Sequence, residues 1–381
     1  MRKYLAFLCL LLPLPALCQN LPAARQMLEK LTAETLWGRG YTNNGMEKAA
    51  DLIVAEFKSY GLQPMDGKDF KQPFVLSINT FPGKMAAGIN GQTLIPGKDF
   101  IVLPESVGKT VSGKLSQLDS VTFADRENKV LVLLANKLTW GASQELADFT
   151  GIRVDEKAIK SIPLEYSIDI ENEFKPQFKA TNLCGLVRGT RKPDSLIVIT
   201  AHYDHLGGMG DNTYFPGAND NASGVTFLLS LAKHYAANPQ PYSMGFICFG
   251  AEEPGLVGSK YFTEQPLVPL QNIRFLINLD MVGTGDTGIT VVNASSHSQE
   301  FNLLNRINDE KRYLPRINSR GKTANSDHHF FSEKGVPAFF IYTQGGIRAY
   351  HDINDKAATL PFTEFKDLFK LFVDFNKSLM N

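Results

Sequence analysis

Continuous apolar runs alternate with amphipathic segments through the second half of this 381-residue chain, and this alternation restricts the fold more than any other feature. The apolar runs cover residues 196–200, 244–249, 275–279 and 337–342, and a helix is predicted at 221–235. Apolar runs of this length are typical of parallel strands that are buried on both faces. Strands and helices in this order indicate an α/β fold with a central mixed, largely parallel sheet and helices on both faces.

Polar residues follow each apolar run at the point where a strand is expected to end. They are His202, Asp204, Asp220, Glu252, Glu253, Asp280 and His351. In open α/β sheets, ligands bind beyond the carboxyl ends of the strands, so we expect these side chains to meet at one edge. The adjacent pair Glu252 and Glu253 needs a compensating charge, because neighbouring carboxylates repel each other and are costly to desolvate.

Taken one at a time, these residues have ordinary interpretations, such as Asp220 serving as a helix N-cap. Taken together, five of them form a nitrogen and oxygen donor set that suits divalent cations. The five are His202, Asp220, Glu253, Asp280 and His351. Their three carboxylates carry a charge of about −3, which two dications and one hydroxide bring near zero. The charge balance therefore favours a pair of metal ions over a single one.

The pattern of the chain divides it into two parts, in keeping with a length that allows one large or two medium domains. Residues 19–75 and 180–381 carry the α/β pattern, with further helices predicted at 22–32, 46–60 and 362–380. Residues 76–179 are predicted to form a mostly β insert, with a hairpin turn at 89–92 and a short strand at 130–134.

The N-terminus has the features of a secretory signal peptide over residues 1–18. Arg2 and Lys3 precede an apolar run at 4–14, and the small residues Ala16 and Cys18 are placed for cleavage before Gln19. The run is too short for a transmembrane helix. The sequence therefore predicts export to the periplasm or the medium, with a lipid anchor on Cys18 as the alternative.

Composition excludes some partners and leaves the cysteines with a structural role. The 39 basic and 39 acidic residues give no net charge, which does not favour nucleic acid as a partner. Cys184 and Cys248 lie in apolar runs and are predicted to be buried thiols, with a disulfide between them as the alternative that export permits. Nothing in the sequence indicates an oligomeric state.

The motifs AHYDHLGG, GANDNASG, GAEEPGLVGS, NLDMVG, SDHHFF and YHDINDK occur in this order. In residues 20–70 and 180–381 the chain resembles the co-catalytic di-zinc aminopeptidases, peptidase family M28. The resemblance implies two Zn²⁺ ions bridged by Asp220, with His202 and Glu253 completing one site and Asp280 and His351 the other. It also implies a cis peptide bond between Asp220 and Asn221.

The resemblance further implies roles for the residues around the metals. Glu252 is expected to be the general base and Tyr350 to stabilise the oxyanion. Asp204, two residues after His202, is expected to accept the second imidazole N–H and fix the tautomer. His328 is the alternative ligand should His351 not be one. The remaining histidines are interpreted as structural: His205, His234 and His329.

The expected activity is that of an exported zinc exopeptidase, an aminopeptidase that acts on peptide substrates. A carboxypeptidase is the first alternative, and it would need a cation near the metals from among Lys260, Arg320, Lys322 and Arg348. A glutaminyl cyclase with one zinc and a non-enzymatic, receptor-like member are the others. The insert stands where some relatives carry a protease-associated domain, lacks that domain's usual Gly-Ala and apolar run, and is expected to overhang the active-site cleft.

Overall fold

The computed structural model describes residues 21–380 of the chain. The helices are α1 Leu21–Leu31, α2 Gly45–Ser59, α3 Gly224–Ala237, α4 Val257–Glu264, α5 Ser298–Lys311, α6 His328–Glu333 and α7 Phe365–Leu379. A π-helical turn, Ala218–Ser223, precedes α3. The strands are β1 Gln63–Pro64, β2 Lys71–Thr80, β3 Met85–Ile89, β4 Gln92–Leu94, β5 Phe100–Val102, β6 Lys109–Lys114, β7 Ser116–Gln117, β8 Thr122–Asp125, β9 Val130–Ala135, β10 Thr150–Asp155, β11 Glu165–Ile170, β12 Glu173–Val187, β13 Lys192–His202, β14 Gly208–Met209, β15 Thr213–Tyr214, β16 Tyr242–Phe249, β17 Ile273–Leu279, β18 Gly288–Val292, β19 Ile317–Ser319 and β20 Ala338–Gln344.

A nine-stranded mixed sheet forms the centre of the molecule, in the order β1-β12-β16-β13-β17-β20-β18-β19, with β2 also paired to β12. The four strands in the middle of this order, β16, β13, β17 and β20, are mutually parallel. Antiparallel strands flank them on both sides. The predicted α/β architecture is thus confirmed, and the carboxyl ends of the parallel strands meet at one edge.

Helices cover both faces of this sheet, as the alternation along β13 shows. Ile197 and Ile199 belong to an apolar cluster that includes residues of α2, α3 and α7. Leu196 and Val198 point to the other face and belong to a cluster with Phe262 of α4 and Phe331 of α6. Each large apolar side chain that is fully buried in such a cluster contributes about 1.5–3 kcal/mol to stability.

The predicted helices and strands are found with small shifts at their ends. The main difference is the helix predicted at 221–235, which begins only at Gly224. The backbone at Asp220 and Asn221 is not helical, and the bond between them is cis, as the resemblance implied. Cys184 and Cys248 are free and buried, which confirms the prediction of buried thiols and not the disulfide alternative.

The chain between β2 and β12 forms two further sheets, β5-β10-β9-β8-β7 and β4-β3-β11-β6. The hairpin at Asn90 and Gly91 has positive φ at both residues, 49° and 77°, as a type I′ turn requires. The predicted boundaries at 75/76 and 179/180 fall inside β2 and β12, which pair with each other in the central sheet. The division into two domains stays a prediction.

Two N-terminal expectations concern residues that are not described. The predicted signal peptide, residues 1–18, lies outside the described part of the chain. Among residues 21–380, no helix has both the length and the apolar character needed to cross a membrane.

Candidate metal centre

The five predicted ligands converge at the carboxyl edge of the central sheet. His202 is the last residue of β13, Asp280 directly follows β17, and Asp220 lies in the π-helical turn before α3. The Oδ1 atom of Asp220 lies 3.3 Å from Nε2 of His202, and its Oδ2 atom lies 3.0 Å from Nε2 of His351. One carboxylate therefore faces two histidines through its two separate oxygens.

The structure groups the other two ligands differently from the expected sites. His202 Nε2 is 3.5 Å from Asp280 Oδ1, whereas His351 Nε2 is 3.2 Å from Glu253 Oε2. The expected pairing of His202 with Glu253 and of Asp280 with His351 is therefore wrong. The reason is topological, because β17 is the hydrogen-bonded neighbour of β13 and places Asp280 next to His202.

These donors fit a pair of divalent ions. The ligand atoms form two groups, each within 4.8 Å, namely His202, Glu252 and Asp280, and His205, Asp220, Glu253 and His351. Asp280 Oδ1 is buried and lacks a hydrogen-bond partner among the described residues. A buried carboxylate oxygen without a partner is costly, and a bound cation removes that cost. The donor types, imidazole nitrogen and carboxylate oxygen, are those that zinc binds.

The two adjacent glutamates enter the site through a sharp turn after β16. Ala251 and Gly255 have φ values of 56° and 116°, and the turn brings the side chains of both Glu252 and Glu253 to one cavity. Burial raises the pKa of Glu252 well above its ordinary value. Burial also opposes ionisation of Glu253, but the charge of His351 outweighs it and lowers the pKa of Glu253 to about 2. The two neighbours therefore differ in their readiness to hold a proton.

Asp204 holds this turn and not, as expected, the imidazole of His202. Its carboxylate accepts hydrogen bonds from the backbone N–H groups of Glu252 and Glu253, at 3.1 and 3.3 Å. The nearest approach of that carboxylate to His202 Nδ1 is 3.8 Å, beyond hydrogen-bond distance. The expectation for Asp204 is wrong because the chain leaves β13 at His202, and the backbone carbonyl of Asp204, at 3.2 Å, meets Nδ1 instead.

Tyr41 is a partner of Asp204 that the sequence did not reveal. Its buried hydroxyl donates a 2.6 Å hydrogen bond to Asp204 Oδ2. We expect Tyr41→Phe to lower the free energy of unfolding by about 1.5–3 kcal/mol, the usual contribution of a hydrogen bond to a charged group. Urea denaturation of metal-free protein measures this. Tyr261→Phe is the matched control, because that hydroxyl has no hydrogen-bond partner within residues 21–380. An equal loss in both variants would contradict the assignment.

Arg39 is a second residue that sequence reasoning missed. Its side chain is fully buried, and its guanidinium donates to the backbone carbonyls of Tyr203, Pro216, Gly217 and Asp220 and to that of Leu31. One cation thus ties the segment after β13 to the turn that carries Asp220. No motif indicates such a role, because the partners are carbonyl groups rather than side chains.

Asp355 supports the same turn from the other side of the site. Its carboxylate accepts the N–H groups of Asn219, at 2.8 Å, and of Asp220, at 3.0 Å. Gly217, at the start of the turn, has a φ of 56°, and a Cβ there would lie 2.2 Å from the carbonyl oxygen of Asp220. Backbone contacts around Asp220 therefore fix the position of the carboxylate that faces both histidines.

The β-rich insert contributes directly to the position of His351. His351 Nδ1 lies 2.8 Å from the carbonyl oxygen of Trp140, and the N–H of Trp140 donates to the carbonyl oxygen of His351 at 3.0 Å. The carbonyl fixes the tautomer in which Nδ1 carries the proton and Nε2 faces Asp220 and Glu253. The Trp140 ring is held by Phe215, at 4.7 Å between centroids, and by a hydrogen bond from Nε1 to Val102.

The remaining histidines and Tyr350 have varied positions. His205 was interpreted as structural, but its Nδ1 lies 2.6 Å from Glu253 Oε1 inside the centre. His328, the alternative ligand, is buried against Phe340 and belongs to neither ligand group. His234 lies on α3 against Phe369, and His329 lies on α6. Tyr350 stacks on His351 with 4.0 Å between ring centroids and is 39% exposed.

A cavity of about 460 Å³ opens over the centre. Its lining combines the carboxylates and histidines with apolar and aromatic side chains and one arginine: His202, Asp220, Glu252, Glu253, Leu256, Asp280, Met281, Arg320, Ala324, Asn325, Phe340, Tyr342, Tyr350 and His351. A pocket of this size holds one or two amino-acid residues next to the donor cluster.

Comparison with known proteins agrees with this description. The model of Peptidase family M28 matches residues 182–375. Aminopeptidase YwaD of Bacillus subtilis strain 168 is 32% identical over 164 residues, 40% of this chain and 34% of the relative. A probable leucine aminopeptidase of Arthroderma otae is 28% identical over 177 residues, 45% of this chain and 48% of the relative. The chain thus spans about a third to a half of the length of these relatives.

Solved structures show the same fold over most of both chains. The peptidase M28 precursor of Shewanella amazonensis SB2B has a TM-score of 0.71 at 16% identity, covering 94% of this chain and 96% of that one. The aminopeptidase of Aneurinibacillus sp. strain AM-1 has a TM-score of 0.67 at 19% identity, covering 94% of each chain. The fold and the site together define an α/β peptidase. The chain belongs to peptidase family M28.

Proposed function

We propose that the protein is a di-zinc aminopeptidase that removes the N-terminal residue from peptides. The observation that carries the proposal is the position of Asp220, whose two carboxylate oxygens face separate histidine and carboxylate pairs. His202 and Asp280 would hold one ion, His351 and Glu253 the other, and Asp220 both. The proposal agrees with relatives whose names read aminopeptidase or zinc metalloprotease.

Bound zinc supplies Lewis acidity toward the scissile carbonyl and lowers the pKa of a water molecule. Glu252 then takes a proton from that water and returns it to the leaving amine. Its buried carboxyl suits this task, because burial favours the protonated form more than in its neighbour Glu253. Tyr350 lies at the cavity wall against His351 and would donate its hydroxyl proton to the developing oxyanion.

The free N-terminus of the substrate follows from the charge at this end of the cavity. Glu252 and Asp280 line the cavity, and Asp280 Oδ1 lacks a hydrogen-bond partner within residues 21–380. A substrate ammonium group can donate to such oxygens. A C-terminal carboxylate at the same place would be repelled.

A five-residue peptide distinguishes the candidate activities. Zinc-loaded protein is incubated with the free peptide, its N-acetylated form, its C-amidated form and a peptide that begins with glutamine. We expect acetylation to block release of the first residue and amidation to leave it unchanged, which mass spectrometry of the products measures. The reverse pattern would indicate a carboxypeptidase. Loss of ammonia from the glutamine peptide without chain cleavage would indicate a cyclase, and no reaction at all a non-enzymatic member.

We also propose that the protein is exported. The sequence of residues 1–18 supports this, as does the absence of a membrane-spanning helix from residues 21–380. Mass spectrometry of the protein from its native host is expected to find the mature chain beginning at Gln19. An uncleaved Met1 or a lipid on Cys18 would contradict the prediction.

A further inference from the structure

Arg320 is the one cation in the lining of the cavity, within the described residues 21–380. It directly follows β19, and its backbone is fixed: its N–H donates to Val291 and its carbonyl accepts from Ala294. Its Nη1 donates a 3.3 Å hydrogen bond to the hydroxyl of Tyr342. The guanidinium is therefore held at the cavity wall by a fixed backbone and a neutral partner.

The charge of Arg320 has no acidic partner in the described part of the chain, where no carboxylate oxygen lies within 4.0 Å of its guanidinium. Lys322, two residues later, instead forms a 2.5 Å ion pair with Glu333. Neither Lys260 nor Arg348, the other cations near the centre in sequence, belongs to the cavity lining. Arg320 therefore has guanidinium N–H groups available to a ligand that enters the cavity.

The sheet separates this cation from the metal centre. Asp280 follows β17, and Arg320 follows β19, with β20 and β18 between them. Three strand spacings place the two backbones about 14 Å apart. The wall between them is largely apolar and aromatic, from Met281, Phe340 and Tyr342. The acidic residues of the lining belong to the metal centre, so the cavity is negative at one end and positive at the other.

We propose that Arg320 binds a carboxylate of the substrate, which gives the cavity a preference for acidic ligands. Guanidinium and carboxylate form two parallel hydrogen bonds, and such pairs are the strong ones in partly buried sites. Two parts of a peptide can supply this group: the side chain of an N-terminal Glu or Asp, or the C-terminus of a dipeptide. The inference rests on the proposed function, because it assumes that the scissile bond lies at the metal centre.

Binding measurements test the inference without relying on turnover. Calorimetry is performed on zinc-loaded Glu252→Gln protein, so that bound peptides are not cleaved. Glu-Gly-Gly against Gln-Gly-Gly tests the side chain as the source of the carboxylate. Leu-Gly against Leu-Gly-amide tests the C-terminus. Arg320→Gln is added in the same background, and Lys322→Gln is the matched control because its ion pair lies outside the cavity lining.

We expect one of the two pairs to show roughly a 10- to 100-fold preference for the carboxylate form, as hydrogen bonds to charged groups provide. Arg320→Gln is expected to abolish that preference, and Lys322→Gln to keep it. The pair that shows the preference identifies the source. Equal affinities within both pairs, or a preference that survives Arg320→Gln, would overturn the inference, as would failure of all four peptides to bind. The five-residue peptide assay decides the proposed function separately.

Discussion

Glu252→Gln is expected to lower the turnover number by roughly 10²- to 10⁴-fold, the usual contribution of a general base. The amide keeps the shape and hydrogen-bonding capacity of the carboxylate but cannot accept the proton of the attacking water. The backbone N–H of residue 252 would still donate to Asp204, so the turn after β16 stays in place. Steady-state kinetics on an unblocked peptide measure the loss, and elemental analysis of the same sample measures its zinc.

Two further variants show whether this loss is specific to Glu252. Glu264→Gln makes the same chemical change on the exposed end of α4 and is expected to leave both turnover and zinc content unchanged. Glu253→Gln is expected to lose zinc as well as activity, because Glu253 Oε2 lies 3.2 Å from the ligand atom of His351. If Glu252→Gln loses zinc while Glu253→Gln keeps it, the two glutamates have been assigned in the wrong order.

Asp220→Ala is expected to reduce the zinc content from two ions per chain to none. The reason is that one carboxylate serves both groups of ligands, through Oδ1 beside His202 and Oδ2 beside His351. Each remaining group would keep only one histidine and one carboxylate of the proposed ligand set, fewer than the three protein ligands of typical catalytic zinc sites. Elemental analysis after dialysis measures the loss.

The matched control for this variant is Asp211→Ala, which removes an exposed aspartate from the loop between β14 and β15. It is expected to keep both ions. Circular dichroism of both variants shows whether the fold is retained. A folded Asp220→Ala protein that keeps one tightly bound zinc would contradict the role of Asp220 as the shared ligand.

The sequence predicted the fold well because parallel strands that are buried on both faces are continuous apolar runs. Such runs show where strands end, and the polar residues at those ends proved to lie together. The start of α3 could not be predicted in this way. The non-helical backbone at Asp220 and Asn221 delays the helix to Gly224, and no local propensity indicates that delay.

The sequence did not show which ligands are neighbours or what supports them. The pairing of His202 with Asp280 depends on the order of strands in the sheet, which the motifs do not contain. The supports of the site come from distant parts of the chain. Arg39 acts through carbonyl groups more than 160 positions away, and Trp140 holds His351 across 211 positions. Backbone partners of this kind leave no pattern in side-chain chemistry.

The zinc content of the purified protein, measured together with its activity, tests the central claim most directly. Metal-free protein prepared with a chelator is titrated with zinc, and hydrolysis of an unblocked peptide is followed at each step. The five ligands and the shared carboxylate of Asp220 predict no activity without metal and full activity at two zinc ions per chain. Full activity with a single bound zinc, or activity that persists in the chelated protein, would contradict the account.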